Sequence, residues 1–382
     1  MTRRTTWLTL RALVGLAMLA APAWVLATAG GAVPHQHWTL GALLAVSALA
    51  GVALLVATAL AWRRDRRRAA APPDTPSTGG PSTGTPRSGV AHPTAASPHD
   101  GPAASPHAEP AASPHAKPAP SPHTEPAAGP APARPRGRRV LRATGAGVGL
   151  ALLAVLAAAT AWLRPFPATD PALDALRGDD AVEVRESAGW YAFVPRGAEP
   201  TTGLVYSPGA RVDVRATAAV LRPLAEAGYL VVALKEPLGI ALTSPDQPAS
   251  AMAAFDGVER WAVGGHSLGG VAASSFAAAH DDEVAGLLLH ASYPLGDMAD
   301  ADLVVASVSG SEDGLTTPAD VDASRADLPA ATTFTEVDGA VHAFFADYGP
   351  QPGDGTPTVP REEAQAEIVA ASLALLDEVA AG

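Results

Sequence analysis

The chain has no cysteine among its 382 residues. This absence excludes disulfide bonds, thiolate metal sites and a cysteine nucleophile, but it does not fix the compartment, because an exported domain can fold without disulfides. Aromatic residues are also few, at 5%, whereas hydrophobic residues reach 48%. The excess therefore consists mostly of Ala, Val and Leu, which favours apolar helices over an unusually large core.

Acidic residues are scarce in the first part of the chain, and basic residues are scarce in the second. Residues 1–169 contain 16 Lys or Arg and 5 Asp or Glu, a net charge of +11, whereas residues 170–382 contain 10 and 33, a net charge of −23. The asymmetry predicts a basic part that faces a membrane and an acidic folded part. The acidic part argues against nucleic acid as a partner, because nucleic-acid binding requires a basic surface.

Three hydrophobic stretches are long enough to cross a bilayer, which takes about 20 apolar residues. Two lie within residues 1–68, at about 7–29 and 38–62, and the third lies within residues 140–164. Arginines cluster before the first, after the second and before the third, and the loop 30–37 has none. Because cytoplasmic loops are enriched in Lys and Arg, we predict a multi-pass cell-membrane protein with residues 165–382 outside the cytoplasm. A second interpretation makes the first stretch a cleaved signal peptide that ends near residues 27–29.

Residues 69–139 are dominated by Pro, Ala, Ser, Gly and His, with an eight-residue repeat that begins SPHDGPAA at Ser97. Such a tract cannot bury enough apolar surface to fold, so we predict a disordered cytoplasmic linker. The repeat carries His99, His107, His115 and His123. A polyproline helix has about three residues per turn, so a repeat of eight does not align these rings for a metal. A solvated linker is favoured, with a weak metal or partner site as the alternative.

From residue 170 to residue 382, short β-rich runs alternate with helical ones. Eight strands are predicted, at 182–185, 190–194, 203–207, 229–234, 260–264, 284–290, 302–308 and 332–337. Four helices are predicted, at 214–227, 269–280, 318–328 and 361–379. This alternation predicts an α/β domain with a mostly parallel eight-stranded sheet and helices on both faces.

The segment from Gly264 to Gly270 reads GGHSLGG and lies between the fifth strand and the helix that follows it. It contains G-x-S-x-G, in which a serine on a sharp, strained turn exposes its hydroxyl above the sheet. We therefore predict that Ser267 is a nucleophile; an ordinary tight turn is the alternative.

A serine site of this kind has its acid and then its histidine later in the chain. Among the histidines of the domain, His342 follows the eighth strand and is the predicted general base, because the others lie in less suitable places: His266 within the turn, His280 at a helix end and His290 before any acid. Asp313, after the seventh strand, is the predicted acid, with Glu312 as its rival; Asp338 lies on the wrong loop.

The remaining site predictions concern the oxyanion and the substrate. An oxyanion hole would use the backbone N–H of Leu268 and of Ala210, although Ser207–Ala210 also reads as a plain Pro-Gly turn. Lys235 and Glu236 end the fourth strand, where they would contact substrate or pair with each other at the surface. Gln351 belongs to a segment after the base that would form a pocket wall or a surface loop.

These residues look like the α/β-hydrolase superfamily. Residues 203–382 resemble its small, capless bacterial branch, which is related to dienelactone hydrolases, and the stretches ASYPLGDM and HAFFADYGPQPGDG look like those of a bacterial subgroup. The resemblance implies hydrolysis of a small-molecule ester or thioester without a cofactor. Two departures matter: the loop reads SPGA instead of containing the usual His-Gly pair, and the nucleophile is serine where dienelactone hydrolases use cysteine.

We thus expect a membrane-anchored serine esterase of the α/β-hydrolase type, with no metal. The alternatives are a non-catalytic binding or signalling module that keeps the fold, and a peptidase or acyltransferase on the same fold. The bilayer is the expected macromolecular surface, and no protein partner is indicated.

Overall fold

A computed structural model describes residues 3–70 and 136–382 of the chain. Three long helices, α1 (Arg3–Ala29), α2 (Trp38–Ala70) and α3 (Arg136–Trp162), precede the folded domain. Each is long and apolar enough to cross a membrane. The helices are longer than the predicted spans, because arginine is a good helix former and the charged flanks continue the helical turn. Residues 69–70 and 136–139 are therefore helical, and the rest of the predicted linker, with the four histidines of its repeat, lies outside the described residues.

The helices α1 and α2 approach closely where two glycines face each other. A Cβ atom on Gly15 would lie 2.8 Å from a Leu55 side-chain carbon, and one on Gly51 would lie 3.0 Å from the carbonyl oxygen of Gly15. Small residues at such a crossing let two helix backbones pack tightly. Val14, Met18, Leu150 and Ala157 form a separate buried cluster between α1 and α3.

All eight predicted strands are present. They are β1 (Val182–Glu186), β2 (Trp190–Pro195), β3 (Thr202–Ser207), β4 (Leu230–Leu234), β5 (Arg260–His266), β6 (Gly286–His290), β7 (Val304–Gly310) and β8 (Thr333–Val337). They form one sheet in the order β1-β2-β4-β3-β5-β6-β7-β8, in which β2 runs antiparallel to both of its neighbours, β1 and β4, and the other neighbours run parallel. The prediction of a mostly parallel eight-stranded sheet is confirmed.

Burial along each strand follows its place in the sheet. Every residue of β3, β4 and β6 is buried, because helices cover both faces of these inner strands. The edge strands β1 and β8 keep exposed and half-buried positions. Continuous apolar runs such as Leu287–Leu289 therefore mark the centre of the sheet.

Helices cover both faces, as predicted. They are α4 (Asp170–Ala175), α5 (Ala218–Glu226), α6 (Gln247–Met252), α7 (Leu268–Ala279), α8 (Pro318–Ser324) and α9 (Arg361–Ala381). One core cluster joins Leu221, Leu224 and Ile368 of α5 and α9 to one face of the sheet. A second joins Met252 and Phe276 of α6 and α7 to the other face. The predicted helices at 214–227 and 318–328 each combine an α-helix with a 3-10 turn.

The three long helices meet the folded domain at one edge of the sheet. Residues up to 65 and from 144 onward form one compact unit. Just after α3, the N–H of Phe166 donates to Arg211 and the N–H of Asp213 donates to Phe166, at 2.7 and 2.9 Å. Arg211 Nη1 also donates to the carbonyl of Trp162 at 2.6 Å. Because Arg211 and Asp213 lie in the loop after β3, the connection is made at the carboxyl ends of the parallel strands, which form this edge of the sheet.

Candidate active site

Ser267 occupies a strained turn between β5 and α7. Its backbone has φ of 53° and ψ of −125°, a region that side chains rarely adopt and that costs about 1–3 kcal/mol. The Ser267 N–H donates to the carbonyl of His290 at 2.9 Å, and its carbonyl accepts the Ser292 hydroxyl at 2.7 Å. These bonds to β6 and the loop after it hold the strained conformation in place.

Close packing around this turn explains the neighbouring glycines. A Cβ atom on Gly269 would lie 2.1 Å from the carbonyl oxygen of Ser207, and one on Gly265 would lie 2.4 Å from the carbonyl carbon of Gly269. Either atom would overlap the backbone, so the helix that follows Ser267 could not approach β3 and β5. The glycines therefore set the turn directly against the loop that follows β3.

Asp313 and His342 are in contact at the ends of β7 and β8. The imidazole Nδ1 of His342 lies 2.8 Å from Oδ2 of Asp313, and both side chains are almost fully buried. The other carboxylate oxygen of Asp313 accepts the backbone N–H groups of Leu315 and Thr316, each at 2.8 Å. With Nδ1 engaged by a carboxylate, the proton of a neutral imidazole is held on Nδ1, and Nε2 is left as the proton acceptor. The rival acid, Glu312, is exposed, and so is Asp338.

Asp354 holds the histidine turn, and the sequence did not single it out. Its carboxylate accepts the N–H of His342 at 3.0 Å and that of Ala343 at 2.9 Å. It also accepts the N–H of Gly314, beside Asp313, at 3.4 Å. Asp354 therefore fixes the acid turn and the histidine turn relative to each other. Asp and Asn commonly cap turns in this way, so the GDG segment was the available signal.

The other histidines of the domain are placed differently. His290 is fully buried between the Tyr206 hydroxyl at 3.0 Å and the Ser372 hydroxyl at 2.9 Å, and burial lowers its pKa to about 3. The ring of His266 lies 4.5 Å from that of His342, and burial, together with the nearby His342 and His290, lowers its pKa well below 6.5. His280 ends α7, where its Nδ1 lies 3.0 Å from the Phe276 carbonyl. His280 and His290 therefore each have hydrogen-bond partners other than Ser267.

Two backbone N–H groups near Ser267 are available for an oxyanion. Leu268 is the first residue of α7, where N–H groups have no partner within the helix. Ala210 follows Gly209, at which a Cβ atom would lie 2.7 Å from Nδ1 of His266, so this loop lies against the turn. Outside helices and strands, no hydrogen bond of the described residues uses the N–H of Leu268 or of Ala210. Both groups are thus free to donate.

Lys235 and Glu236 do not pair with each other at the surface. Lys235 is 3% exposed; its Nζ lies 2.6 Å from Glu186 and 4.4 Å from the centre of the Tyr191 ring. Glu236 is 4% exposed, and burial raises its pKa to about 8, against a smaller lowering by a hydrogen bond with Ser207. The surface alternative is therefore wrong.

Gln351, the third residue predicted to contact substrate, lies in the segment after the histidine turn. Its Oε1 accepts the hydroxyl of the buried Tyr348 at 2.6 Å.

Residues 203–366 match the model of the alpha/beta hydrolase family. The domain belongs to the α/β-hydrolase superfamily. No curated protein sequence matches the chain. A solved structure described as a predicted CIB-like hydrolase from Thermoplasma acidophilum is similar to part of the chain: it is 16% identical, covers 52% of this chain and 99% of its own, and has a TM-score of 0.39.

Proposed function

We propose that this α/β hydrolase is a membrane-anchored serine hydrolase that cleaves a carboxylic ester or thioester through an acyl-enzyme. One observation carries the proposal. A buried Asp313–His342 pair lies beside the strained Ser267 turn. The proximity is measured at His266, the residue before Ser267, whose ring lies 4.5 Å from the ring of His342. A structural turn alone would not require a buried histidine-carboxylate pair at the ends of the next strands.

In the proposed reaction, the Ser267 hydroxyl oxygen attacks the carbonyl carbon while Nε2 of His342 takes its proton. Asp313 holds the ring and stabilises the imidazolium. The oxyanion accepts the N–H groups of Leu268 and Ala210, and the α7 dipole favours the same negative charge. The leaving alcohol or thiol takes the proton from His342. Water then attacks the acyl-enzyme and gives its proton to His342, and the carboxylic acid leaves as the proton returns to Ser267.

The anchoring part of the proposal rests on α1, α2 and α3. Their length and apolar character suit membrane spans, and the arginine distribution favours a domain outside the cytoplasm. The proposed bilayer-spanning arrangement also agrees with the predominantly exposed apolar side chains of these helices, for example Leu49 at 70% and Leu152 at 63% exposure. In water such a surface would aggregate, whereas in lipid it is solvated.

The experiment that tests the activity is labelling of the full chain, purified in detergent, with a fluorophosphonate probe. We expect labelling of the wild type, and loss of labelling in Ser267→Ala and His342→Ala. Glu312→Gln is the matched control, because it changes an exposed carboxyl next to Asp313. A folded wild type that takes no label would contradict the proposal and favour the non-catalytic module.

A further inference from the structure

The edge of the sheet that carries Ser267 is also the edge that the long helices reach. The loop between α1 and α2 and the first turn of α2 contact it at several points: Gln36 donates to Asp213 at 3.3 Å, the Leu238 N–H donates to Thr39 at 2.8 Å, and Arg215 donates to the carbonyl of Gly31 at 2.8 Å. All three domain partners follow β3 or β4. The helix ends therefore adjoin the loops around the candidate active site.

The turn between β1 and β2 joins the same contact. Because β2 is antiparallel to β4 and begins opposite the end of β4, the turn that connects β1 to β2 lies at the edge where the parallel strands end. There His35 lies 2.7 Å from the Tyr191 hydroxyl and 3.4 Å from Glu186. The loop between α1 and α2 thus rests on three neighbouring segments of this one edge.

The large exposed apolar side chains of the folded domain are confined to that edge. Beyond residue 162, which ends α3, four large apolar side chains are exposed, namely Leu242 at 44%, Tyr293 at 43%, Leu295 at 56% and Leu315 at 38%. They follow β4, β6, β6 and β7, in the loops at the ends of these parallel strands. Complete burial of an apolar side chain of this size stabilises a fold by about 1.5–3 kcal/mol, and each of these residues forgoes part of that, so four on one edge indicate a surface with an apolar partner.

These four residues, the apolar rim, lie close to the reacting groups. Tyr293 follows Ser292, whose hydroxyl bonds the Ser267 carbonyl. Leu295 donates its N–H to Ser274 of α7 at 2.8 Å, and the turn that carries Leu242 also contacts α7. The Leu315 N–H donates to Asp313. The rim is therefore carried by the segments that contact the Ser267 turn, α7 and Asp313.

We infer that the candidate site opens towards the bilayer and takes an ester or thioester with a long acyl chain from it, the chain lying against the apolar rim. The inference rests on the proposed function. Water cleaves the ester bond, so a fatty acid and an alcohol or thiol are released. A lipid ester is the expected ligand because the membrane helices hold the exposed apolar side chains at the side of the domain that faces the bilayer.

The first test is independent of catalysis. The full chain is reconstituted in vesicles of phosphatidylcholine that contain a phosphatidylcholine with a diazirine near the end of one acyl chain. We expect crosslinks in peptides that carry Leu242, Tyr293, Leu295 or Leu315, both in the wild type and in Ser267→Ala. The peptide that carries Ala198, an exposed residue in the loop before β3 at the opposite edge, should take at least about fivefold less. Equal labelling of both edges would overturn the inference.

The second test compares two fluorogenic esters: 4-methylumbelliferyl oleate in the same vesicles, and 4-methylumbelliferyl butyrate in water. In a variant with Leu242→Gln, Leu295→Gln and Leu315→Gln, the oleate-to-butyrate ratio of kcat/KM should fall about tenfold, equivalent to about 1.4 kcal/mol. Methionine at the same positions should restore the ratio, and Ala198→Gln should leave it unchanged.

The two proposals fail in different ways. A chain that takes the fluorophosphonate label and cleaves butyrate, but rejects oleate or keeps its ratio in the glutamine variant, overturns the bilayer substrate and leaves the serine hydrolase standing. Rim crosslinks without labelling or hydrolysis overturn the hydrolase, and the substrate assignment falls with it.

Discussion

Asp313 and Glu236 are buried almost equally, at 3% and 4% exposure, but their surroundings differ. Asp313 accepts two backbone N–H groups and the His342 ring. Glu236 has a buried Oε1 without a partner among the described residues, and burial raises its pKa to about 8. Burial alone therefore does not make a carboxyl group useful as a catalytic acid or base partner. The donors supplied by the local turn decide whether its charge is supported.

The difference has a simple geometric origin. Asp313 begins a turn in which the N–H groups of Leu315 and Thr316 donate to the Asp313 side chain, which is the usual bonding of an aspartate turn. Glu236 is the second residue after β4, and its neighbour Lys235 bonds to Glu186 instead. The first carboxyl group is built to orient a histidine, whereas the second is better suited to the neutral form at neutral pH.

The largest expected effect comes from removing the charge that the Asp313 turn supports. Asp313→Asn keeps the size of the side chain, but the amide no longer fixes the His342 tautomer. We expect kcat for a soluble ester such as 4-nitrophenyl butyrate to fall by roughly 10³–10⁴-fold. The exposed neighbour supplies the control, Glu312→Gln, which should remain within about twofold of wild type. A loss below tenfold for Asp313→Asn would remove the contrast between the two carboxyls.

Glu236→Gln tests the opposite side of the comparison. Because the folded-state pKa is raised to about 8, the folded protein keeps a proton that the unfolded chain loses near pH 4.5, so wild-type stability falls as pH rises between these values. Glutamine has no proton to lose. The variant should therefore gain roughly 3–5 kcal/mol relative to wild type between pH 5 and pH 9, measured by chemical unfolding at both pH values. A constant difference between the two proteins would contradict the raised pKa.

His290 extends the comparison to histidines. It is buried with neutral partners only, and burial lowers its pKa to about 3. The unfolded chain takes up a proton near pH 6.5 that the folded protein refuses, so stability falls as pH decreases below that value. Relative to His290→Asn, the wild type should lose about 2 kcal/mol between pH 6.5 and pH 4.5 in unfolding experiments. Parallel stability curves would show that the ring is accessible to protons.

Asp354 gives the smallest expected effect, because it acts through the position of His342. Asp354→Ala leaves the N–H groups of His342 and Ala343 without their acceptor, so we expect kcat to fall about 10–100-fold with little change in KM. Asp354→Asn keeps one carbonyl oxygen and should recover part of the loss. Asp281→Asn, an exposed carboxylate after α7, is the control. A change in KM alone would assign Asp354 to substrate binding.

The strands were predictable because burial on both faces leaves a direct trace in the sequence, as in Leu287–Leu289 of β6. The Ser267 turn was predictable for a similar reason, since close backbone packing admits only glycine at Gly265 and Gly269. The short helices α4 and α6 were missed because six residues are too few to show a helical period.

The sequence could not reveal contacts that depend on the tertiary path of the chain. Adjacent residues of an extended chain point to opposite sides, so Lys235 and Glu236 separate, and Lys235 meets Glu186 from another strand. The role of Asp354 depends on a return of the chain to a turn that is 12 residues away. Neither the contact of Lys235 nor that of Asp354 can be predicted from the charges of the residues or from their spacing in the sequence.

The passage from α3 to the domain takes only a few residues, because α3 ends at Trp162 and Phe166 already pairs with Val212. In the membrane-anchored arrangement proposed above, the domain has no slack with which to swing away from the surface. Encounter with a lipid would then take place in two dimensions, so the rate would follow the mole fraction of the ester in the bilayer and would be insensitive to the volume of water around it.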